Sequence, residues 1–172
     1  MTAIDWTKFT KKIKINSTLE TVYNHWVTPE LLCKWFLRDA IIISENNTTK
    51  PTSSPAEQND TYIWKWHNYD GEEQGTVLVT KPNHYFEFSF AEETTKVSIS
   101  LKEVGNSVLL ELCQYNMATD DATKHNLYYG CSNGWTFWLT NLKAYLEYGI
   151  LLHDTELGNL DDKNSCGEYV NT

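Results

Sequence analysis

The sequence predicts an α+β fold: an antiparallel sheet of about seven strands, meandering and apolar on one face, closed by one long C-terminal helix. Three observations carry this. Apolar residues alternate with polar ones in a series of short segments between Lys8 and Tyr115. The last five of these segments are joined by linkers too short for a parallel crossover, which needs a dozen or more residues. After Met117 the apolar period changes from two to that of a helix and holds until Gly149.

The first strand is KFTKKIKIN, in which Phe9, Lys11, Ile13 and Ile15 share a face. It ends at a helix signal, because Ser17 followed by Glu20 fits a capping box, and Leu19, Val22, Tyr23 and Trp26 then recur at helical spacing. A second short helix restarts at once. Thr28 can cap it, Pro29 suits its first position, and Leu31, Leu32, Trp35 and Phe36 form its apolar face.

From Arg38 the chain reads as strand again, beginning with AIIIS and interrupted by the polar run ENNTTKPTSSPAEQND, which is expected to be a long, mobile loop. In DTYIWKWH the residues Tyr62, Trp64 and Trp66 point to one face. EQGTVLVTK follows, then the Pro82-Asn83 turn, then HYFEFSF with Phe86, Phe88 and Phe90 on one face. TKVSISLKE and SVLLELCQY are joined by Gly105-Asn106, a dipeptide suited to a tight hairpin. Val97, Ile99 and Leu101 share one face of this pair, as do Val108, Leu110, Leu112 and Gln114. In the final helix, Thr119 can cap and Asp120 and Asp121 suit the positive end of the dipole. Trp135, Trp138, Leu139, Leu142, Tyr145 and Leu146 fall on one face. Such a helix has about 29 residues and spans about 43 Å, long enough to cross a whole sheet.

With 172 residues and 41% of them apolar, the chain is the size of one domain with one core. Residues 1–152 are read as that domain. The stretch from residue 153 to 172 carries five carboxylate side chains against one lysine and reads as a solvated, mobile tail. No run approaches the length of a membrane helix, and MTAIDWTKFTKK lacks the apolar core of a signal peptide, so a cytoplasmic protein is expected. The net charge of −9 and the single arginine, Arg38, argue against a nucleic-acid partner, since arginine's planar fork is the usual grip on phosphate. Cys33, Cys113, Cys131 and Cys166 have neither zinc-knuckle nor redox spacing and read as free thiols.

The stretch GCSNG, from Gly130 to Gly134, fits G-x-S-x-G, the pattern that presents a nucleophilic serine. Its context does not fit. DDATKHNLYY precedes it in place of a buried strand, and the only later histidine is His153. Two glycines four apart on a helix more plainly bare a patch of backbone where a strand, a helix or a ligand comes close. His25, His67, His84, His125 and His153 show no metal spacing, and no glycine-rich phosphate loop is present. No catalytic residue, metal or cofactor is therefore expected.

What remains is a surplus of aromatic faces. A ladder of aromatics on a strand is ordinarily core. A strongly curved sheet closed by a single helix nevertheless leaves space that side chains need not fill, and such cavities are mostly apolar. Both readings stand on the sequence.

The order strand, helix, helix, six strands, long helix resembles the START-like superfamily, also called SRPBCC, over roughly residues 6 to 150. The resemblance is closest to its branch of heat-shock ATPase activator homologues. It rests on Gly134-Trp135, Leu139, Asn141-Leu142-Lys143, Leu146-Glu147 and Gly149, and on TLETVYNHWVTPELLCKWF with Val22, Trp26, Pro29, Leu31 and Trp35. It implies a helix-grip fold, a curved sheet wrapped around the C-terminal helix with a cavity between them. It further implies binding of lipids, sterols, polyketides or other apolar molecules, with some members acting as cyclases or chaperone partners.

The leading expectation is non-catalytic binding or carriage of a small hydrophobic molecule, a lipid, polyketide or aromatic. The cavity is expected to be lined by Tyr62, Trp64, Trp66, Phe86, Phe88, Leu110, Leu112, Gln114, Trp135 and Trp138. One alternative is a cyclase-like enzyme using His67 or Gln114 in the same cavity. The other is contact between the outer surface and a large chaperone ATPase; a homodimer is compatible with each.

Overall fold

A computed structural model describes residues 4–156 of the chain. Seven strands form one antiparallel sheet in the order β1-β7-β6-β5-β4-β3-β2. They are β1 (Lys8–Ile15), β2 (Asp39–Ile43), β3 (Thr61–Lys65), β4 (Glu72–Lys81), β5 (Tyr85–Phe90), β6 (Thr95–Val104) and β7 (Ser107–Tyr115). Strands β2 to β7 follow one another as hairpins, while β1 reaches across to pair with β7, Phe9 opposite Gln114 and Ile13 opposite Leu110. The chain returns from β1 to the opposite edge through α1 (Leu19–Val27) and α2 (Pro29–Leu32).

The strand periodicity sets the inner face as expected. Phe9, Ile15, Tyr62, Trp64, Phe86, Phe88, Val97, Ile99, Leu101, Val108, Leu110 and Leu112 are all buried. Gly75 in β4 is required by a close approach: a Cβ there would lie 2.6 Å from the Tyr62 hydroxyl and 2.7 Å from the Ser89 carbonyl oxygen. That space is taken by the hydrogen bond the Tyr62 hydroxyl donates to this carbonyl at 2.6 Å.

The C-terminal helix is unbroken from Asp121 to Tyr148 but not uniform. An α-helical start, α3 (Asp121–Thr123), passes through a π-helical turn at Lys124–Tyr129 into α4 (Gly130–Tyr148). The wide turn carries Tyr128 against Trp6 and Phe9, with ring centroids 4.9 and 5.5 Å apart. At the other end Gly149 takes the left-handed conformation (φ 67°), which lets its N–H close on the Tyr145 carbonyl at 2.9 Å. Lys143 fixes the helix to the sheet edge by donating to the Lys14 carbonyl at 2.7 Å, and Glu147 accepts from the Asn16 N–H at 2.6 Å.

Three local expectations are corrected. Thr18, not Ser17, caps α1, accepting from the Thr21 N–H at 3.1 Å. Asp120, not Thr119, caps the last helix, accepting from the Thr123 N–H at 3.0 Å. The polar run before β3, expected to be mobile, is anchored: the Ala56 N–H donates to the Val27 carbonyl at 2.7 Å, and Lys50 bridges Glu57 and Asp60 at 2.7 and 3.0 Å. Its small and charged residues hide these anchors, because a backbone bond to α1 leaves no pattern in side-chain polarity. Of the tail expected from residue 153, residues 157–172 lie outside the described residues; the Asp154 carbonyl accepts from the Asn68 side chain at 2.7 Å.

Candidate functional site

The space between sheet and helix is organised around Phe36, at the end of the α1–α2 segment. Its ring touches six others. It stacks on Trp35 at 5.1 Å and meets Trp138 at 5.0 Å, Trp64 and Trp135 at 5.6 Å, Trp66 at 6.0 Å and Trp26 at 6.5 Å. Trp64 in turn lies on Tyr62 at 4.2 Å and against Phe88 at 5.1 Å. Phe36, Trp26, Trp35 and Trp64 are fully buried. Aromatic pairs at these separations fill volume efficiently and add attraction beyond their buried area.

Several polar groups of this layer are hydrogen-bonded within it, although the Trp26 and Trp64 indole nitrogens have no protein partner among the described residues. Gln114, fully buried, accepts from the Trp135 indole at 2.9 Å and donates to the Thr95 hydroxyl at 3.1 Å. The Trp35 indole donates to the His25 carbonyl at 3.0 Å. Asn141, equally buried, donates to the Trp35 carbonyl and accepts from the Leu152 N–H at 2.7 Å, so it ties α4 both to the α2 segment and to the chain leaving the helix.

One apolar pocket opens beside this layer. It has a volume of about 120 Å³ and is lined by Phe36, Trp66, Phe90, Cys131, Gly134, Trp135 and Trp138. Its floor is the end of β3 and β5, and its roof is the first turns of α4. Gly134 makes the space: a Cβ added there would meet no atom within 4 Å. Gly130, one turn earlier, is likewise open but exposed to solvent. Of the ten residues expected to line a cavity, Trp66, Trp135 and Trp138 border this pocket. Tyr62, Trp64, Phe86, Phe88, Leu110, Leu112 and Gln114 are buried in the packed layer beneath it. Phe90 stands next in the Phe86, Phe88, Phe90 ladder and Gly134 was marked by its helical spacing with Gly130; neither Phe36 nor Cys131 carried a sequence signal for this role.

Titratable groups lie mostly around the pocket rather than in it. Cys131, in the wall, has its thiol held above its ordinary range by burial, so it is protonated at neutral pH. The His67 and His153 rings lie 5.4 Å apart, and His153 covers the Trp138 ring at 5.3 Å. Burial lowers both imidazoles; Arg38 adds to this for His67, and His67 for His153. Ser132 sits within α4, after a helical turn rather than a strand, and its carbonyl accepts from the Thr136 hydroxyl at 2.8 Å. A nucleophile elbow is not formed.

A curved antiparallel sheet gripping one long helix, with an apolar pocket at their junction, defines a START-like protein of helix-grip architecture. The chain belongs to the family described as Activator of Hsp90 ATPase homolog 1-like protein, whose model matches residues 16–147. No curated protein matches the sequence. Among solved structures, the fold is similar to that of SSP2350 from Staphylococcus saprophyticus (TM-score 0.67, 19% identity, covering 85% of this chain and 96% of that one). It is also similar to the Aha1 dimer of Colwellia psychrerythraea (TM-score 0.66, 21% identity, 83% and 97% covered). A third, DynU16 of the dynemicin biosynthetic locus, aligns at TM-score 0.61 and 16% identity over 83% of this chain and 48% of its own. At these identities the likenesses establish the fold. No helix among the described residues is long and apolar enough to cross a membrane.

Proposed function

We propose that the protein binds a small apolar molecule, or the ring or short aliphatic end of a larger lipid, polyketide or aromatic compound, without transforming it. The observation that carries this reading is the pocket at Gly134, whose walls are aromatic and whose volume is about 120 Å³. An apolar cavity of about 150 Å³ is known to admit benzene, whereas whole drug-sized ligands take about 300 Å³ or more. One ring fits; a sterol does not. Catalysis is disfavoured on the same geometry, because Gln114 is buried outside the pocket lining and bonded to Trp135 and Thr95, His67 does not border the pocket, and the one titratable wall residue, Cys131, is protonated.

Tryptophan fluorescence titration with indane, butylbenzene and naphthalene tests the reading on the wild type, Gly134→Ala and Gly134→Leu. Alanine enters open space and replaces a helical glycine, so it is expected to raise stability by about 0.5–1 kcal/mol. Leucine occupies the pocket, and ligand affinity is expected to fall at least about tenfold while the protein stays folded. Unchanged affinity in Gly134→Leu would overturn the proposal.

A second reading, contact with a chaperone ATPase in the cytoplasm, is supported by the family match and by the chain's acidity. It predicts co-sedimentation with a purified Hsp90-type ATPase that Gly134→Leu leaves intact. Self-association, suggested by the dimeric Colwellia relative, is read by sedimentation velocity.

A further inference from the structure

The β3–β4 register sets Glu73 directly opposite Trp64, and cross-strand partners share a face, so this carboxyl lies on the inner side of the sheet in line with buried Gly75 and Val77. It is half-buried there. The turn between β5 and β6 comes up to it with Ala91, Glu92 and Glu93 left-handed in succession (φ 56°, 54° and 62°), a conformation that residues carrying a Cβ enter only at a cost. Such a run persists where its neighbours hold it. Two carboxylates do so: Glu73 Oε1 accepts from the Glu92 N–H at 3.3 Å, and Glu93 accepts from the Thr76 and Ser89 hydroxyls at 2.8 and 3.2 Å. The turn also stands between two parts of the pocket wall. Phe90 precedes it, and Thr95, just after it, accepts from Gln114, which accepts from Trp135; the Phe90 and Trp135 rings meet at 5.6 Å.

Among the described residues Glu73, Glu92 and Glu93 take part in no ion pair, so three carboxylates meet at one strained turn without a cation partner. The other titratable groups that the Glu73 charge reaches are the Tyr62 hydroxyl on β3 and the Cys131 thiol on α4, and both stay protonated at neutral pH. Burial pushes the Glu73 carboxyl up to about 7; the N–H groups of Glu92 and Ala91 oppose this, and the charges of Glu92 and Glu93 add to it. A neutral carboxyl can stay where the register puts it. An ionised one is driven towards water by its two like-charged neighbours, and the turn loses its inner anchor while Glu93 keeps the outer one. Resting on the pocket reading above, we propose that the β5–β6 turn is a proton-operated latch: with Glu73 protonated it stays closed on the inner face, and with Glu73 ionised it swings outward and draws Phe90 from the pocket wall. The fold holds the Glu73 proton more tightly than the unfolded chain does. This contribution is whole below the ordinary value of 4.5 and is gone once pH has risen past about 7.

Nuclear magnetic resonance of the full chain tests the latch without a ligand. The amide resonances of Ala91 to Thr94 should titrate together with the Glu73 carboxyl carbon, with one midpoint near pH 7. Cross-relaxation between the Phe90 and Trp135 rings should weaken at least about twofold on the alkaline side, as the ring contact opens. Glu73→Gln carries no charge and should keep the turn closed, with flat amide resonances across the same range. Glu92→Gln keeps its backbone N–H but removes one like charge, so it should lower the midpoint, and it serves if Glu73→Gln fails to fold. Turn resonances that do not follow the Glu73 carbon, or that titrate unchanged in Glu73→Gln, would overturn the latch and leave the pocket reading standing. Naphthalene supplies the link to the pocket: its affinity should fall at least about threefold from pH 6 to pH 8 in the wild type, as Phe90 leaves the wall, and stay level in Glu73→Gln. Equal wild-type affinity at the two pH values would overturn the coupling of turn to pocket. Naphthalene binding at neither pH would overturn the pocket reading, and the resonances alone would then decide the latch.

Discussion

Beneath the C-terminal half of α4, Leu139, Asn141 and Leu142 are buried, Asn141 is bonded to the Trp35 carbonyl and the Leu152 N–H, and the Trp35 indole is bonded to the His25 carbonyl. Beneath its first turns, Gly134 leaves a pocket of about 120 Å³ between Trp66, Phe90 and Trp138. Both regions draw on the same strand ladders and the same helix stripe. The difference comes from one absent side chain and from where the inward-facing ladders end: Trp66 and Phe90 are only half-buried, whereas Trp64 and Phe88, two residues earlier on each strand, are fully enclosed. Aromatic richness by itself therefore makes a core; it makes a pocket only where the helix withholds volume.

The comparison breaks most severely in the packed region. Trp35→Ala removes the stack on Phe36 and the bond to the His25 carbonyl, and is expected to cost about 3–5 kcal/mol in denaturant unfolding. Loss of less than about 1 kcal/mol would show that this half is loosely packed as well. Asn141→Ala leaves the Trp35 carbonyl and the Leu152 N–H without their partner, and about 1–3 kcal/mol should be lost. The chain leaving the helix should loosen with it, seen as faster hydrogen exchange at Leu152.

A smaller effect follows pH at the border between the two regions. Burial lowers the folded-state pKa of His67 and His153, so the fold favours their neutral forms. Their contribution is intact above the ordinary imidazole value of about 6.5 and is lost as pH falls below it towards the folded values. Acidification from pH 7 to 5 should speed exchange across residues 150–156 and alter Trp138 emission, since His153 lies on that ring. His153→Phe should remove most of this dependence, and an unchanged profile would show that the pair does not govern the segment.

The sheet was legible in the sequence because most strands keep period two and the linkers between the last five are short; the long run between β2 and β3 and the register shift between Val77 and Val79 in β4 are the exceptions. The helix face through Trp135, Trp138, Leu139 and Leu142 was legible for the same kind of reason. The site was legible only in outline. Periodicity says which face a residue takes but not how deep along the helix it lies, so Trp64 and Trp66 look alike in sequence although one is core and the other is pocket wall. The role of Phe36 depends on six rings brought from four separate segments, and the widened turn at Lys124–Tyr129 has no periodic signature at all.

Crystals of the protein pressurised with xenon test the central claim most directly, because the gas occupies apolar free volume without needing a hydrogen bond. Xenon density is expected between Gly134, Trp66, Phe90 and Trp138, and should vanish in Gly134→Leu. Xenon found instead within the layer of Tyr62, Trp64, Leu110 and Leu112, or at no internal position, would contradict the account.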